Sequence, residues 1–114
     1  MFIFKICGRP EWEESLQSGI YLGSEDDRRD GFIHLSTSAQ LDGTAAKHFA
    51  GREDLLLICY ETGDLGETLR WEPSRGGALF PHVYGTLNTG DARWVRPLPL
   101  GPDGHIFPAL KEAK

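Results

Sequence analysis

Apolar residues in this chain come in short runs, separated by glycine, proline and clusters of charge, which is the texture of a mixed α+β fold. Residues 2–7 (Phe2-Ile3-Phe4-Lys5-Ile6-Cys7) are aromatic and β-branched with one charge, at Lys5, and predict a strand that Gly8 ends. Pro10 suits the first turn of a helix, Trp12 and Leu16 form an i,i+4 apolar pair, and Gly19 is placed to stop it, so a short amphipathic helix is expected over 10–18. A brief extended piece at 20–22 leads into 23–30, a polar stretch so dense in opposite charges that it reads as a mobile loop. Residues 32–35 predict a short buried strand. Ser36, Thr37 and Ser38 then offer N-cap chemistry to a helix carrying Leu41, Ala45, His48 and Phe49 at helical spacing, with Gly51 as its stop.

The longest apolar run, 55–60, predicts a central strand buried on both faces. Turns at Gly63, Asp64 and Gly66 precede a strand over 69–72 that Pro73 ends, and 74–77 reads as a loop. Residues 80–85 (Phe80-Pro81-His82-Val83-Tyr84-Gly85) mix large apolar groups with polar ones. Pro81, which has no N–H to give a ladder, argues against a central strand there and for a partly exposed segment. A strand over 94–96 and a hairpin over 98–107 around Gly101-Pro102-Asp103-Gly104 complete the chain. The expected fold is therefore a small twisted or split sheet with two short helices, in one domain spanning 1–114.

Composition narrows the function classes. The chain has 114 residues and a net charge of −5, with no basic stripe to neutralise a phosphate backbone, so a long nucleic-acid footprint is not expected. Cys7 and Cys59 each lie inside an apolar strand, where a thiol is buried and inert, as suits a reducing compartment. No run approaches the length of a membrane span, and the apolar start is too short for a signal peptide, so a cytoplasmic protein without membrane attachment is expected.

Polar groups that interrupt apolar sequence mark the candidate chemistry, and residues 31–37 (Gly31-Phe32-Ile33-His34-Leu35-Ser36-Thr37) are the leading site. Strand alternation turns His34 and Ser36 to one face, roughly 6.5–7 Å apart, while Thr37 points the other way and suits capping. The bland alternative is a satisfied core histidine beside a helix cap. Glu72 shares a face with Arg70, which is also the pattern of a surface ion pair. His82 and Tyr84 follow Phe80-Pro81, which is equally the pattern of a loop with packed rings and wetted polar tips. His34, Glu72 and His82 lack the close pairing of a metal site, and none is predicted. A Gly-x-Ser-x-Gly elbow, a Gly-x-Gly-x-x-Gly turn and a phosphate loop are all missing from the sequence.

The string Asp30-Gly31-Phe32-Ile33-His34-Leu35-Ser36-Thr37 with Gln40, together with Arg70-Trp71-Glu72 and Phe80-Pro81-His82-Val83-Tyr84-Gly85, resembles the uncharacterised bacterial family called domain of unknown function 952 over nearly the whole chain. That family is similar in fold to ADP-ribosyltransferases and RNA 2′-phosphotransferases. The resemblance implies a cleft in a split sheet for a nucleotide or other small-molecule ligand, with NAD as substrate. It implies a glycosyltransferase-type (ADP-ribosyl) or phosphoryl transfer activity on a small molecule, a protein or an RNA end. By the same resemblance His34, Ser36 and Glu72 are the catalytic candidates, and His34, Thr37, His82 and Tyr84 the binding ones. Glu72 would stabilise positive charge on the ribose as nicotinamide departs. A module that keeps the cleft and has no chemistry is the alternative.

Overall fold

The structure is a computed structural model that describes residues 1–110. Strand β1 (Phe2–Gly8) is followed by helix α1 (Arg9–Ser18), strand β2 (Ile20–Tyr21), helix α2 (Glu25–Asp30), strand β3 (Ile33–His34) and helix α3 (Leu41–His48). Strands β4 (Leu55–Glu61), β5 (Leu69–Pro73), β6 (Leu79–Val83), β7 (Leu87–Asn88), β8 (Trp94–Leu98), β9 (Leu100–Gly101) and β10 (Gly104–His105) follow, with 3-10 turns between some of them. This is the α+β class read from the sequence. Among the described residues no helix is long and apolar enough to cross a membrane.

Two antiparallel three-stranded sheets carry the fold, in the orders β1-β4-β8 and β3-β6-β5, with two small pairs, β2 with β7 and β9 with β10. As expected, β4 lies between two neighbours and is buried from Leu55 to Tyr60. Period-2 alternation divides its side chains between two cores. Leu56, Ile58 and Tyr60 join Ile3, Cys7, Trp12, Tyr21, Ile33 and Val83 on one face; Leu55, Leu57 and Cys59 join Phe4, Ile6, Leu41, Ala45 and Leu98 on the other. Cys7 and Cys59 thus belong to different cores, and both are buried thiols outside any disulfide. The predicted helix over 10–18, the strands at 2–7, 69–72 and 94–96 and the terminal hairpin all form within a residue or two of their expected ends.

Two expectations fail for identifiable reasons. Residues 25–30 are not a loop but a third helix, α2, so the chain has three α-helices among its described residues rather than two. The charge density is helix-end chemistry. Ser24 Oγ accepts from the Asp27 amide at 3.1 Å, and Asp27 Oδ2 accepts from the Ser24 amide at 2.9 Å, forming a capping box. Acidic Glu25, Asp26 and Asp27 fill the first turn and basic Arg28 and Arg29 the last, in the sense that complements the helix dipole. Gly31, at φ 87°, closes the helix in the left-handed conformation that glycine adopts without strain.

The second correction concerns β6, which is buried from Phe80 to Val83 and is the central strand of its sheet despite Pro81. The β3 ladder pairs Ile33 with Val83 and His34 with His82, and one more bond runs from the Leu35 amide to the Pro81 carbonyl at 3.0 Å. On an antiparallel strand a residue's N and C=O point to the same neighbour, so the N–H that proline lacks would have faced Leu35. There the chain leaves β6. Ser36 instead exchanges two backbone hydrogen bonds with Phe4 of β1, at 2.8 and 2.9 Å. Pro81 therefore sits where the chain crosses from one sheet to the other.

Candidate functional site

The crossover holds a buried cluster of charge. Lys5 and Asp27 are 5% and 2% exposed, and their Nζ and Oδ2 stand 2.7 Å apart. A second Lys5 N–H donates to the His34 carbonyl at 3.0 Å. Asp27 Oδ1 accepts from the His34 amide at 3.1 Å and faces His34 Nδ1 at 2.6 Å. With the Ser24 amide on Oδ2, all four acceptor positions of this carboxylate are filled. Burial alone would raise the Asp27 pKa, but the contacts with His34 and Lys5 overcome it and hold the carboxyl well below its ordinary value. On its other edge His34 Nε2 faces Asp30 Oδ2 at 3.1 Å. Both ring nitrogens of His34 are thus turned to carboxylate oxygens, Nδ1 to Asp27 and Nε2 to Asp30.

A second group lies on the same side of β3, β6 and β5. Phe32 stacks on His82 with ring centroids 4.2 Å apart, and it contacts His34 at 4.7 Å and Tyr84 at 5.2 Å. The His34 and His82 rings are 5.4 Å apart, as their cross-strand pairing requires. Glu72 Oε1 is within hydrogen-bonding distance of His82 Nδ1, at 2.9 Å, and accepts from the Tyr84 hydroxyl at 2.8 Å. Those two contacts, His82 first, lower the Glu72 pKa, and the same contact raises that of Tyr84. Arg70 is not bonded to Glu72 as an ordinary surface pair would be; its guanidinium lies 4.9 Å from the centre of the Tyr84 ring.

The candidate residues therefore separate into two groups that meet at His34. Glu72, His82 and Tyr84 cluster around Phe32. His34 and Ser36 line a cavity of about 320 Å³ between α2 and α3, which Glu72, His82, Tyr84 and Thr37 do not line. Ser36 Oγ is 2.9 Å from Thr44 Oγ1. Thr37 serves the helix that follows: its amide donates to Gln40 Oε1 at 3.0 Å, and Gln40 Nε2 reaches the Leu79 carbonyl at 2.8 Å. Among the described residues no group of three or more His, Cys, Asp or Glu side chains is placed to hold a metal ion.

Lys5, Asp27 and Asp30 escaped the sequence reading as site residues, and Phe32 entered it only as part of the leading segment. Two signals for them exist: the lone charge in the first apolar strand, and Ser24-x-x-Asp27, which has the spacing of a capping box.

A model of the family described as protein of unknown function (DUF952) matches residues 6–95. The chain belongs to this family. Solved structures similar to this DUF952 chain include the crystal structure of CC0527 from Caulobacter crescentus, 45% identical with a TM-score of 0.89 and 92% of each chain covered. The solution NMR structure of CC0527 is also 45% identical, with a TM-score of 0.82, covering 91% of this chain and 90% of that one. No curated protein matches this DUF952 chain.

Proposed function

We propose that this DUF952 protein binds a ribose-bearing nucleotide, NAD in the first instance, against Phe32, Glu72 and Tyr84, and is a transferase of the ADP-ribosyltransferase type. The observation that carries this reading is the way Glu72 is held. Oε1 meets both His82 and Tyr84, while Oε2 accepts no hydrogen bond from a described residue, on a side chain 35% exposed. A carboxylate fixed by one oxygen and offering the other is preorganised to accept a ribose hydroxyl hydrogen and to face developing positive charge.

The surrounding residues fit such a ligand. Phe32 and Tyr84 supply aromatic surface for a planar base, and Arg70, which has no ion pair among the described residues, supplies a cation for phosphate. NAD would supply the ribose carbon whose bond to nicotinamide breaks, and an acceptor nucleophile, water in its absence, would form the new bond to that carbon as nicotinamide leaves. His34 orients the strand, and its Nε2 would meet a ligand only by releasing Asp30.

The test is incubation of pure protein with NAD while following nicotinamide. The parent releases it, and Glu72→Gln slows release by about 100-fold, the effect of removing one transition-state electrostatic partner. Equal rates for the two proteins, or no release and no thermal stabilisation by NAD, would overturn the reading.

A non-catalytic binding module is the second reading, favoured by the engagement of both His34 nitrogens. It predicts that NAD or ADP-ribose raises the melting temperature with no nicotinamide formed.

A further inference from the structure

We propose that the cavity between α2 and α3 is a separate site for a small planar organic anion, such as an aromatic carboxylate. At about 320 Å³ it lies at the lower end of small-molecule pockets, larger than an inorganic ion needs. Phe4, Phe49 and Phe80 give it aromatic walls, which favour a flat apolar body.

Its polar lining is unbalanced toward donors. Lys5, 95% withdrawn from solvent, uses two of its three N–H groups, on Asp27 and the His34 carbonyl. The contact between Ser36 and Thr44 consumes one of two hydroxyl hydrogens and leaves the other, on a pair whose serine is only 4% exposed. Lys47 at the mouth has no ion pair among the described residues. Of the carboxylates that line the same cavity, Asp27 is held by four donors and Asp30 by Arg29 and His34, while the exposed Asp26 meets Arg29 through Oδ1. Donors without partners beside engaged acceptors select a ligand rich in acceptor oxygens, and buried donors of this kind discriminate against a neutral isostere. The ligand class is therefore an anion with an aromatic body rather than a cation or a bare phosphate.

Isotope-labelled protein titrated with benzoate, benzamide and inorganic phosphate tests this by NMR. Benzoate should shift the amides of Ser36, Thr44 and Lys47 saturably, and benzamide should bind about tenfold more weakly, the loss of one charge-assisted hydrogen bond. Lys47→Glu, on an exposed residue, should weaken benzoate by about tenfold, and Thr44→Val by about fivefold. Glu72→Gln should leave benzoate binding unchanged, so failure here and failure of the transferase reading are separable. Unmoved cavity amides, benzamide or phosphate binding as tightly as benzoate, or parent-like affinity in both cavity variants would overturn the proposal.

Discussion

Asp27 grips His34 twice through a single oxygen, which takes the backbone amide at 3.1 Å and faces ring Nδ1 at 2.6 Å. The other oxygen meets Lys5, so one buried carboxylate ties β1, α2 and β3 together at the crossover between the sheets. Removing one partner of such a pair leaves an uncompensated buried charge. Asp27→Ala should lower unfolding free energy by about 3–5 kcal/mol, and Lys5→Met combined with Asp27→Leu should recover only part of that loss, because the Ser24 and His34 amides still lose their acceptor. Urea unfolding of Lys5→Met, Asp27→Leu and the double variant closes the cycle, with Asp27→Ala beside it.

Acid should expose the same dependence. The folded pKa of Asp27 lies below its unfolded value, so as pH falls the unfolded chain takes up the proton first. The contribution is fully present above the unfolded pKa, about 4, and is lost as pH drops from there through the folded value. Glu72, also lowered, acts in the same direction. Melting temperature against pH should fall below about pH 4, and Asp27→Asn should flatten that limb.

Tyr84→Phe removes one of the two hydrogen bonds on Glu72 Oε1 and keeps the ring beneath Arg70. Nicotinamide release should fall by about tenfold, less than for Glu72→Gln, with the unfolding midpoint unchanged. A larger loss than that of Glu72→Gln would count against Glu72 as the principal group.

Gly31 and Gly19 close α2 and α1 at φ 87° and 81°, and an added Cβ would meet nothing within 4 Å at either. Alanine at each should cost about 1 kcal/mol from backbone conformation alone. Gly31→Ala alone should also move the His34 ring resonances, because Asp27 and Asp30 ride on α2. Calorimetry and histidine NMR together separate the two effects.

Burial pushes the Cys7 thiol up to about 12, and Cys59 is fully enclosed. Neither should react with a thiol reagent at neutral pH until urea unfolds the protein, when both should react. Fast labelling of the native chain would contradict the packing of both cores.

Most of the fold was legible because burial imposes its period on the sequence: β1, β4, β5 and β8 declared themselves as apolar runs, α1 through spacing and its glycine stop, and α3 through spacing, although it is capped by Phe49 and not stopped at the expected Gly51. Helix α2 was hidden because its six residues are all charged and its order rests on caps rather than an apolar face. Strand β6 was hidden by Pro81, whose missing donor matters only if the neighbouring ladder continues. His34, Glu72, His82 and Tyr84 stood out as polar interruptions. Their grouping depended on register, because setting Arg70 opposite His82 and Glu72 opposite Phe80 brings Glu72 to His82 and Tyr84. Lys5 with Asp27 spans 22 residues and has no local periodicity to announce it.

Pro81 has one more consequence. A donor at that position would let Leu35 bind β6 at both its N–H and its C=O, and the two strands could zip onward. The rung is missing its hydrogen, so the strands part at Leu35 and Ser36 turns to β1. The gap beside His34 is held open by an atom the backbone does not have.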